Sequence, residues 1–305
     1  MNIFLTGASG YIGGSVATRF LRDGLTVRGL VRSQEKASLV RALGIDPVVG
    51  ELDDSALLTR EALAADAVVN AASADHRPAA ETMLKALAGS GKTFVHTSGS
   101  SIVGRRDGGR YAPTVYDDHT PFEPSPARAA RVALNRDILA ASESGVRTVI
   151  IAPSLIYGAG LGASPDSMQV PWLIDLARRT GGARHIGPGS NVWSNVHIRD
   201  LVELYLLALE NAPAGTFFFA ENGENAMREV CTAISNMLGF GGGTVDMSLA
   251  EATEYWGEGP ANDTMGSNSR VRARRARAEL GWAPKSPSLI DEIEHGCYAA
   301  TDQAE

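Results

Sequence analysis

A glycine-rich turn near the start of the chain is the clearest candidate for chemistry. Residues 6–13 read Thr-Gly-Ala-Ser-Gly-Tyr-Ile-Gly. Glycines at this spacing permit a tight turn, a close approach of the backbone to a pyrophosphate, and tight packing of the next helix on the preceding strand. The first N–H groups of that helix would face the anion. The pattern predicts a dinucleotide site, unless the turn serves helix packing alone. Its residues are Gly7, Ser9, Gly10, Tyr11, Ile12 and Gly13.

The end of the second predicted strand indicates which dinucleotide is bound. NAD-binding proteins usually carry an acidic residue there for the ribose hydroxyls, whereas this chain reads Val31-Arg32-Ser33. A planar guanidinium suits a phosphate group. Arg32 and Ser33 therefore predict NADP(H), with NAD(H) as the less favoured cofactor. The alternative is that Arg32 is only a solvated charge at the end of a strand.

Strands and helices alternate through the first half of the chain, and they must position this turn. The run Ile3-Phe4-Leu5 is continuously apolar, as in a strand buried on both faces, and Ile12, Val16 and Phe20 follow at helical spacing. Strands are also predicted at residues 27–31, 47–49, 67–70, 94–97 and 146–152, with helices at 36–43, 55–63 and after Ser125. This alternation predicts the α/β class: a Rossmann doubly wound parallel sheet.

After Gly158 the chain becomes richer in glycine and proline, which predicts a smaller, mostly helical C-terminal substrate lobe. Residues 1–158 are expected to form the NADP-binding Rossmann domain, and 187–222 to return to it through a strand at 216–219. Residues 159–186 and 223–305 are assigned to the substrate lobe. Asp200 is interpreted as the N-cap of a helix over 201–210.

Composition excludes several classes of function. A net charge of −7 argues against a nucleic-acid partner. The two cysteines, Cys231 and Cys297, are too few for a disulfide framework and have no metal-ligand pattern nearby, so no metal is expected. No apolar run has the length needed to cross a bilayer, and a strand beginning at Asn2 leaves no room for a targeting peptide. A cytoplasmic location without membrane attachment is expected.

Motifs at the ends of later strands, together with the glycine-rich turn, resemble one enzyme family. They are Asn70-Ala71-Ala72-Ser73, Thr97-Ser98-Gly99-Ser100, Pro153-Ser154-Leu155-Ile156-Tyr157-Gly158 and Val196-His197-Ile198-Arg199-Asp200. The chain is similar over most of its length to the extended and atypical short-chain dehydrogenase/reductases, the NAD-dependent epimerase/dehydratase family. The resemblance implies that Glu51 and Leu52 lie near the adenine and that Pro153 and Leu155 pack by the nicotinamide. It also implies a cofactor channel lined by Ala71, Ala72, Ser73 and Thr97.

Members of this family use a Tyr, and a Lys four residues later, for proton chemistry, and this chain has no such pair. The residues four positions before its lysines Lys36, Lys85, Lys92 and Lys285 are Arg32, Glu81, Ala88 and Gly281. By alignment on the helix near Ser125, the Tyr position falls on Ala127, the Lys position on Arg131 and the catalytic Ser/Thr position on Gly99. The resemblance implies that Arg131 holds the ribose and that Ser98 or Ser100 polarises a carbonyl.

Four further side chains qualify by type as a replacement for the missing acid: Asp75, His76, Tyr111 and Tyr116. Histidine is a common side chain for proton transfer. Each is more simply interpreted as a solvated loop residue. The sequence therefore assigns no general acid.

The leading functional hypothesis is an NADP(H)-dependent oxidoreductase that transfers hydride to a small carbonyl or enone compound. Ser154 stands where sugar-nucleotide epimerases usually carry Asn. Met168, Trp172, Trp193 and Trp256 are candidates for an apolar pocket in the second lobe, the alternative being that they pack in its core. One alternative is a non-catalytic NADP(H)-binding sensor or regulatory protein. Another is an epimerase or dehydratase that retains its cofactor.

A homodimer is a further expectation. In the family, helices equivalent to residues 77–88 and 126–142 often form a dimer interface, and Ile138 and Leu139 would add apolar surface there. The alternative is that both helices simply pack on the sheet.

Overall fold

The structure is a computed structural model that describes residues 1–302, with side chains as far as residue 299. The first half of the chain forms β1 (Asn2–Thr6), α1 (Tyr11–Arg22), β2 (Thr26–Val31), α2 (Gln34–Ala42), β3 (Asp46–Val49), α3 (Ser55–Ala64), β4 (Ala67–Asn70), α4 (Arg77–Leu87), β5 (Thr93–Thr97), β6 (Arg105–Arg106), β7 (Tyr116–Asp117), α5 (Ala129–Ala140) and β8 (Arg147–Pro153). The second half forms β9 (Leu155–Tyr157), α6 (Gln169–Thr180), β10 (Ala183–Ile186), β11 (Val192–His197), α7 (Ile198–Asn211), β12 (Thr216–Ala220), β13 (Glu224–Ala226), α8 (Met227–Met237), β14 (Thr244–Met247), α9 (Leu249–Trp256), α10 (Glu258–Pro260), β15 (Ser267–Asn268), β16 (Val271–Arg272), α11 (Arg274–Leu280), α12 (Leu289–Glu294) and α13 (Cys297–Asp302).

A seven-stranded parallel sheet organises the molecule, in the order β12-β8-β5-β4-β1-β2-β3. Helices α1, α2 and α7 bury their apolar sides against one face, and α3, α4 and α5 cover the other. The predicted Rossmann fold is confirmed. Because the strand order reverses between β1 and β4, their carboxyl ends border the crevice where such sheets bind ligands.

The second lobe has a core of its own. Helices α6, α8 and α12 surround buried side chains of β9, β10 and β11, including Tyr157 and Trp193. The lobe also contains a three-stranded sheet, β13-β11-β9, and a β10-β14 pair. Helices still form most of its regular structure, as the sequence predicted.

The segment assigned to the return into the first domain needs correction. Strand β12 does join the main sheet beside β8, as expected for residues 216–219. Within that segment β11 pairs with β9 and β13 in the lobe, although Val196 of β11 is buried in the core that α1 and α7 share. Ala276, Leu280 and Trp282, which were assigned to the lobe, are buried in the same core as α1 and α7. Apolar side chains from distant segments decide these boundaries.

Ile138 does not contribute to the apolar surface that was expected for a homodimer. Ile138 is fully buried in the core between α5 and the sheet, and Leu139 is half-buried against it. The exposed side of α5 carries mainly alanines, Ala129, Ala130 and Ala133 among them. Separately, no helix in the described part of the chain is both long and apolar enough to span a bilayer.

Candidate active site

The glycine-rich turn has the backbone geometry that a dinucleotide requires. Gly7 has φ +79°, and a Cβ there would lie 2.9 Å from the Ala71 carbonyl. A Cβ on Gly13 would lie only 2.3 Å from the Gly7 carbonyl oxygen. Gly10 precedes α1 without any side-chain cap, and the first turn of α1 has no acidic residue. The first N–H groups of α1 are thus open to an anion, and the turn fits a pyrophosphate.

A buried polar chain holds this turn against the neighbouring strand. Thr6 Oγ1 donates to Asn70 Oδ1 at 2.7 Å and accepts from the backbone N–H groups of Ala71 (3.2 Å) and Ala72 (3.3 Å). The Asn70 amide nitrogen lies 3.1 Å from His96 Nδ1. Burial, followed by the nearby charge of Arg131, lowers the pKa of His96 to about 4. The imidazole is therefore neutral at pH 7, and it carries its proton on Nε2 because Nδ1 accepts from Asn70.

The residues expected to select the cofactor, and those expected near its adenine, follow the next two strands of the sheet. The side chain of Arg32, after β2, is exposed and forms no ion pair within the described residues. Ser33 Oγ caps α2 by accepting from the Lys36 backbone N–H at 3.2 Å, so its own hydrogen is still available to a ligand. Glu51 is exposed and Leu52 half-buried just after β3. The topology brings all four to the edge beside the glycine-rich turn.

A cavity of about 610 Å³ runs from that turn into the second lobe. The turn contributes Gly10–Gly13, and the ends of the central strands contribute Ala71, Ser98–Ser101 and Pro153. The rest of its wall is formed by Arg128, Arg131, Ser154, Ile156, Asp166–Gln169, Trp172, Trp193, Gly259, Pro260, Asp263 and Thr264. One continuous space therefore connects the expected cofactor site with side chains of the lobe.

The two serines predicted to polarise a substrate differ in their hydrogen bonds. Ser98 Oγ accepts from Asn135 Nδ2 at 2.9 Å, and its own hydrogen has no acceptor among the described residues. Ser100 Oγ lies 2.9 Å from Ser269 Oγ. Ser269 already donates its hydrogen to the Ser100 carbonyl oxygen, so in that pair Ser100 must be the donor. Of the two, only Ser98 has a hydroxyl hydrogen free to point into the cavity.

Arg131 lines the cavity but is held by an acidic partner. Its Nε donates to Asp75 Oδ1 at 2.7 Å, Nη2 pairs with Asp75 Oδ2, and Nη1 donates to Ser101 Oγ at 3.3 Å. These bonds use three of the five N–H groups of a guanidinium, which leaves two without a partner among the described residues. The hydrogen bond from Arg131 lowers the pKa of Asp75, so this carboxylate is ionised at neutral pH and is no acid.

The other candidate acids lie outside the cavity wall. His76 Nδ1 caps α4 by accepting from the Ala79 backbone N–H, and its Nε2 lies 3.2 Å from Asp53. The Tyr111 hydroxyl accepts from Arg270 at 2.9 Å, and Tyr116 packs against Phe122. Tyr11 does line the cavity, but its hydroxyl donates to the Gly158 carbonyl and burial raises its pKa.

Several predicted residues have other surroundings than expected. Leu155 is buried in the lobe core, and its neighbours Ser154 and Ile156 line the cavity instead, because side chains alternate along a strand. The Thr97 hydroxyl is buried and lies 2.6 Å from the Tyr205 hydroxyl. Ser73 Oγ accepts from the Asp75 backbone N–H at 3.2 Å in the turn after β4.

The assignment of Asp200 as an N-cap is wrong. Helix α7 begins at Ile198, and its N-cap is His197, whose Nδ1 accepts from the Arg199 backbone N–H at 3.0 Å. The Asp200 carboxylate accepts from the backbone N–H groups of Lys285 (2.9 Å) and Ser286 (3.1 Å). Its role is to tie the C-terminal segment to α7.

Sequence reasoning did not identify Asn135, Arg128, Asp263 or Thr264 as residues of this site. Asn135 follows Arg131 by four positions, so both lie on one face of α5. An amide among the buried residues of an amphipathic helix was a signal that could have been used. Asp263 and Thr264 come from the distant end of the chain, and no local pattern marks them.

Comparison with known proteins agrees with this geometry. The model of the NAD dependent epimerase/dehydratase family matches residues 3–218. The chain is 32% identical to the "Oxidase ucsJ" of Acremonium sp, over 96% of this chain and 95% of that protein. It is 30% identical to the "4-hydroxy-2-methyl-3-oxo-4-farnesyl-3,4-dihydroquinoline-1-oxide ketoreductase" of Stigmatella aurantiaca, over 93% of this chain and 92% of that one. The crystal structure of dTDP-glucose 4,6-dehydratase from Bacillus anthracis, in complex with NAD, superposes with a TM-score of 0.78 at 19% identity, covering 99% and 97% of the two chains.

Proposed function

The chain belongs to the NAD dependent epimerase/dehydratase family and is an NAD(P)-dependent enzyme of the short-chain dehydrogenase/reductase type, and we propose that it is an NADPH-dependent reductase of a small, largely apolar carbonyl or enone compound. The observation that carries the proposal is the free hydroxyl hydrogen of Ser98 in the cavity that begins at the glycine-rich turn. It supplies a hydrogen-bond donor where the family's tyrosine is absent.

Ser98 stabilises the charge that develops on the substrate oxygen. NADPH supplies the hydride when it is bound. Asn135 donates to Ser98 Oγ, so the serine hydrogen must point away from the Asn135 amide nitrogen. A preorganised donor of this kind stabilises an oxyanion most in a cavity with little water. Hydride transfer leaves an alkoxide from a carbonyl compound or an enolate from an enone. Either is basic enough to take its proton from water, which releases hydroxide, so the site can act without a tyrosine.

The exposed guanidinium of Arg32 supports the preference for NADP(H). It lies at the end of β2, where no carboxylate is present to bind the ribose hydroxyls of NAD. No described residue pairs with it, so nothing competes with the 2'-phosphate for its fork of donors. Ser33 adds a second donor beside it.

The walls of the cavity favour a substrate with an apolar body. Trp193 is 4% exposed, and its indole N–H donates to the Ser267 carbonyl at 2.8 Å, which orients the ring. Trp172, Met168 and Ile156 extend this surface. Trp256 packs in the lobe core and takes no part. The relative named as a ketoreductase of a farnesyl-bearing ketone supports an apolar carbonyl substrate.

The test is the oxidation of NADPH by purified protein across a panel of aldehydes, ketones and enones. We expect turnover with at least one class, and a loss of kcat of about 10²- to 10³-fold in Ser98→Ala, the magnitude for one oxyanion donor. Ser100→Ala is the matched comparison and should lose much less, because the Ser100 hydrogen is already donated to Ser269.

Absence of turnover on the whole panel, with NADPH bound, would overturn the reductase proposal. Tight binding without turnover, and a partner protein that recognises one redox state, would favour the sensor. Cofactor that co-purifies and is regenerated in each cycle would favour an epimerase or dehydratase. The homodimer across α4 and α5 stays a prediction, and sedimentation velocity would decide it.

A further inference from the structure

One arginine on the cavity wall has no counter-charge. Arg128 precedes α5 and lines the cavity beside Ser98 and Arg131. Its side chain is half-buried, and its Nε is enclosed without a hydrogen-bond partner. Within the described residues, its guanidinium forms no ion pair. An arginine stays charged in proteins, so this cation is partly removed from water without compensation.

The carboxylates near Arg128 are already engaged by other arginines. Both oxygens of Asp75 accept from Arg131. Both oxygens of Asp263 accept from Arg106, at 2.5 and 2.9 Å. Burial, and next to it the charge of Arg131, lowers the pKa of Arg128 in spite of these two acids. The cavity therefore carries one unpaired positive charge at the end formed by α5 and the second lobe.

The cofactor phosphates have other partners in this fold. The pyrophosphate is expected at the start of α1, and the 2'-phosphate at Arg32. Arg128 instead lies among side chains of the substrate end, with Asp263 and Thr264 of the lobe on the same wall. Asp166 also lines the cavity and has an exposed side chain. Its charge helps to raise the pKa of Tyr11, so it lies near the glycine-rich turn.

We propose that Arg128 binds a carboxylate of the substrate, so that the carbonyl compound taken by this cavity is an oxo acid with an apolar body. This inference rests on the proposed function, because it takes the bound carbonyl compound to be the substrate. The binding of a carboxylate, however, does not depend on turnover. The planar fork of a guanidinium matches the two oxygens of a carboxylate. Trp172 and Trp193 would contact the apolar part.

Calorimetry on the protein saturated with NADP⁺ tests this without any chemical step. The probes are benzoate and hexanoate, each compared with its neutral amide, which has nearly the same shape. We expect the wild type to bind the carboxylates about 10- to 100-fold more tightly than the amides, the range for a charge-assisted hydrogen-bonded pair. Arg128→Gln should abolish the preference and leave the NADP⁺ affinity unchanged.

Arg22→Gln is the control, because Arg22 is an exposed arginine in the last turn of α1. It should keep the full preference for carboxylates. Arg128→Lys, which keeps the charge without the fork, should keep part of it. A wild type without the preference, including one that binds none of the probes, would overturn the inference. So would a preference that survives in Arg128→Gln, or an equal loss of NADP⁺ affinity in that variant.

The two proposals fail separately. Carboxylate binding through Arg128 without reduction of any carbonyl would refute the proposed function alone. Reduction of neutral ketones, together with no preference for carboxylates, would refute the inference alone.

Discussion

Substitution of Gly13 by alanine tests whether α1 must lie directly against the glycine-rich turn. The added Cβ would be 2.3 Å from the Gly7 carbonyl oxygen and 2.8 Å from its carbon, where ordinary contact begins at 3.4 Å. Both atoms belong to the backbone and cannot rotate away. Relief therefore requires a displacement of about 1 Å between the helix and the turn.

We expect Gly13→Ala to lower the free energy of unfolding by about 1–2 kcal/mol. Overpacking of this kind costs about 1–3 kcal/mol, and the better helix propensity of alanine returns up to about 1 kcal/mol. NADPH affinity should fall by about 10- to 100-fold, because a displaced helix no longer aims its first N–H groups at the pyrophosphate. Urea unfolding followed by circular dichroism gives the first quantity, and calorimetry gives the second.

Two further glycines keep the experiment decisive even where Gly13→Ala folds poorly. Gly243 is exposed and has no atom within 4 Å of an added Cβ, so Gly243→Ala should change neither quantity. A Cβ on Gly10 would lie 3.3 Å from the Gly7 oxygen, only slightly closer than ordinary contact. Gly10→Ala should therefore cost little stability. It should still weaken NADPH binding, because Gly10 lines the cavity at the glycine-rich turn. Wild-type affinity for NADPH in both Gly13→Ala and Gly10→Ala would refute this account of the turn.

Two other changes test the selection of the cofactor and the buried histidine. Arg32→Gln should weaken NADPH binding about 10-fold, since the contact between Arg32 and the 2'-phosphate would be exposed and screened, while NADH affinity stays the same. An equal loss of affinity for both cofactors in calorimetry would refute the role of Arg32. The pKa of His96 is lowered from 6.5 to about 4, so the unfolded chain takes up this proton at a higher pH than the folded protein does. The free energy of unfolding is therefore highest above pH 6.5 and declines as the pH falls toward 4, by up to about 3 kcal/mol. In His96→Gln, urea unfolding should show a flatter dependence over that window, and an unchanged pH profile would contradict the assignment.

The local features of this protein were predictable because they depend on neighbours in sequence. The glycine spacing of the turn and the continuously apolar β1 and β4 depend on backbone conformation and burial over a few residues. The parallel sheet was predictable as well, because strands joined by single helices through right-handed crossovers leave few arrangements. An acidic residue is missing after β2 whatever the tertiary structure, so the expectation for NADP(H) also arose locally.

The chemistry of the substrate end depended on contacts that no local rule contains. Ser98 and Ser100 are equivalent in the sequence, and they differ only because their partners are Asn135, 37 positions away, and Ser269, 169 positions away. Arg131 was assigned from the family pattern, yet the sequence did not indicate that Asp75 binds it.

The errors of assignment at two residues have the same physical cause. Ile138 and Asp200 each sit at a position where local periodicity allows more than one partner. For Ile138 the sheet buried the side chain that periodicity left available for a dimer. The Asp200 carboxylate, which could otherwise cap a helix, accepts hydrogen bonds from the backbone N–H groups of Lys285 and Ser286.

By itself the sequence therefore determined the fold, the glycine-rich turn and the type of cofactor to expect, because these depend on spacing and on buried periodicity. Only the tertiary structure decided which serine keeps a free hydrogen and that Arg128 has no counter-charge. The physical reason is that a polar group acts through whatever partner it finds in space, and that partner comes from a remote part of the chain.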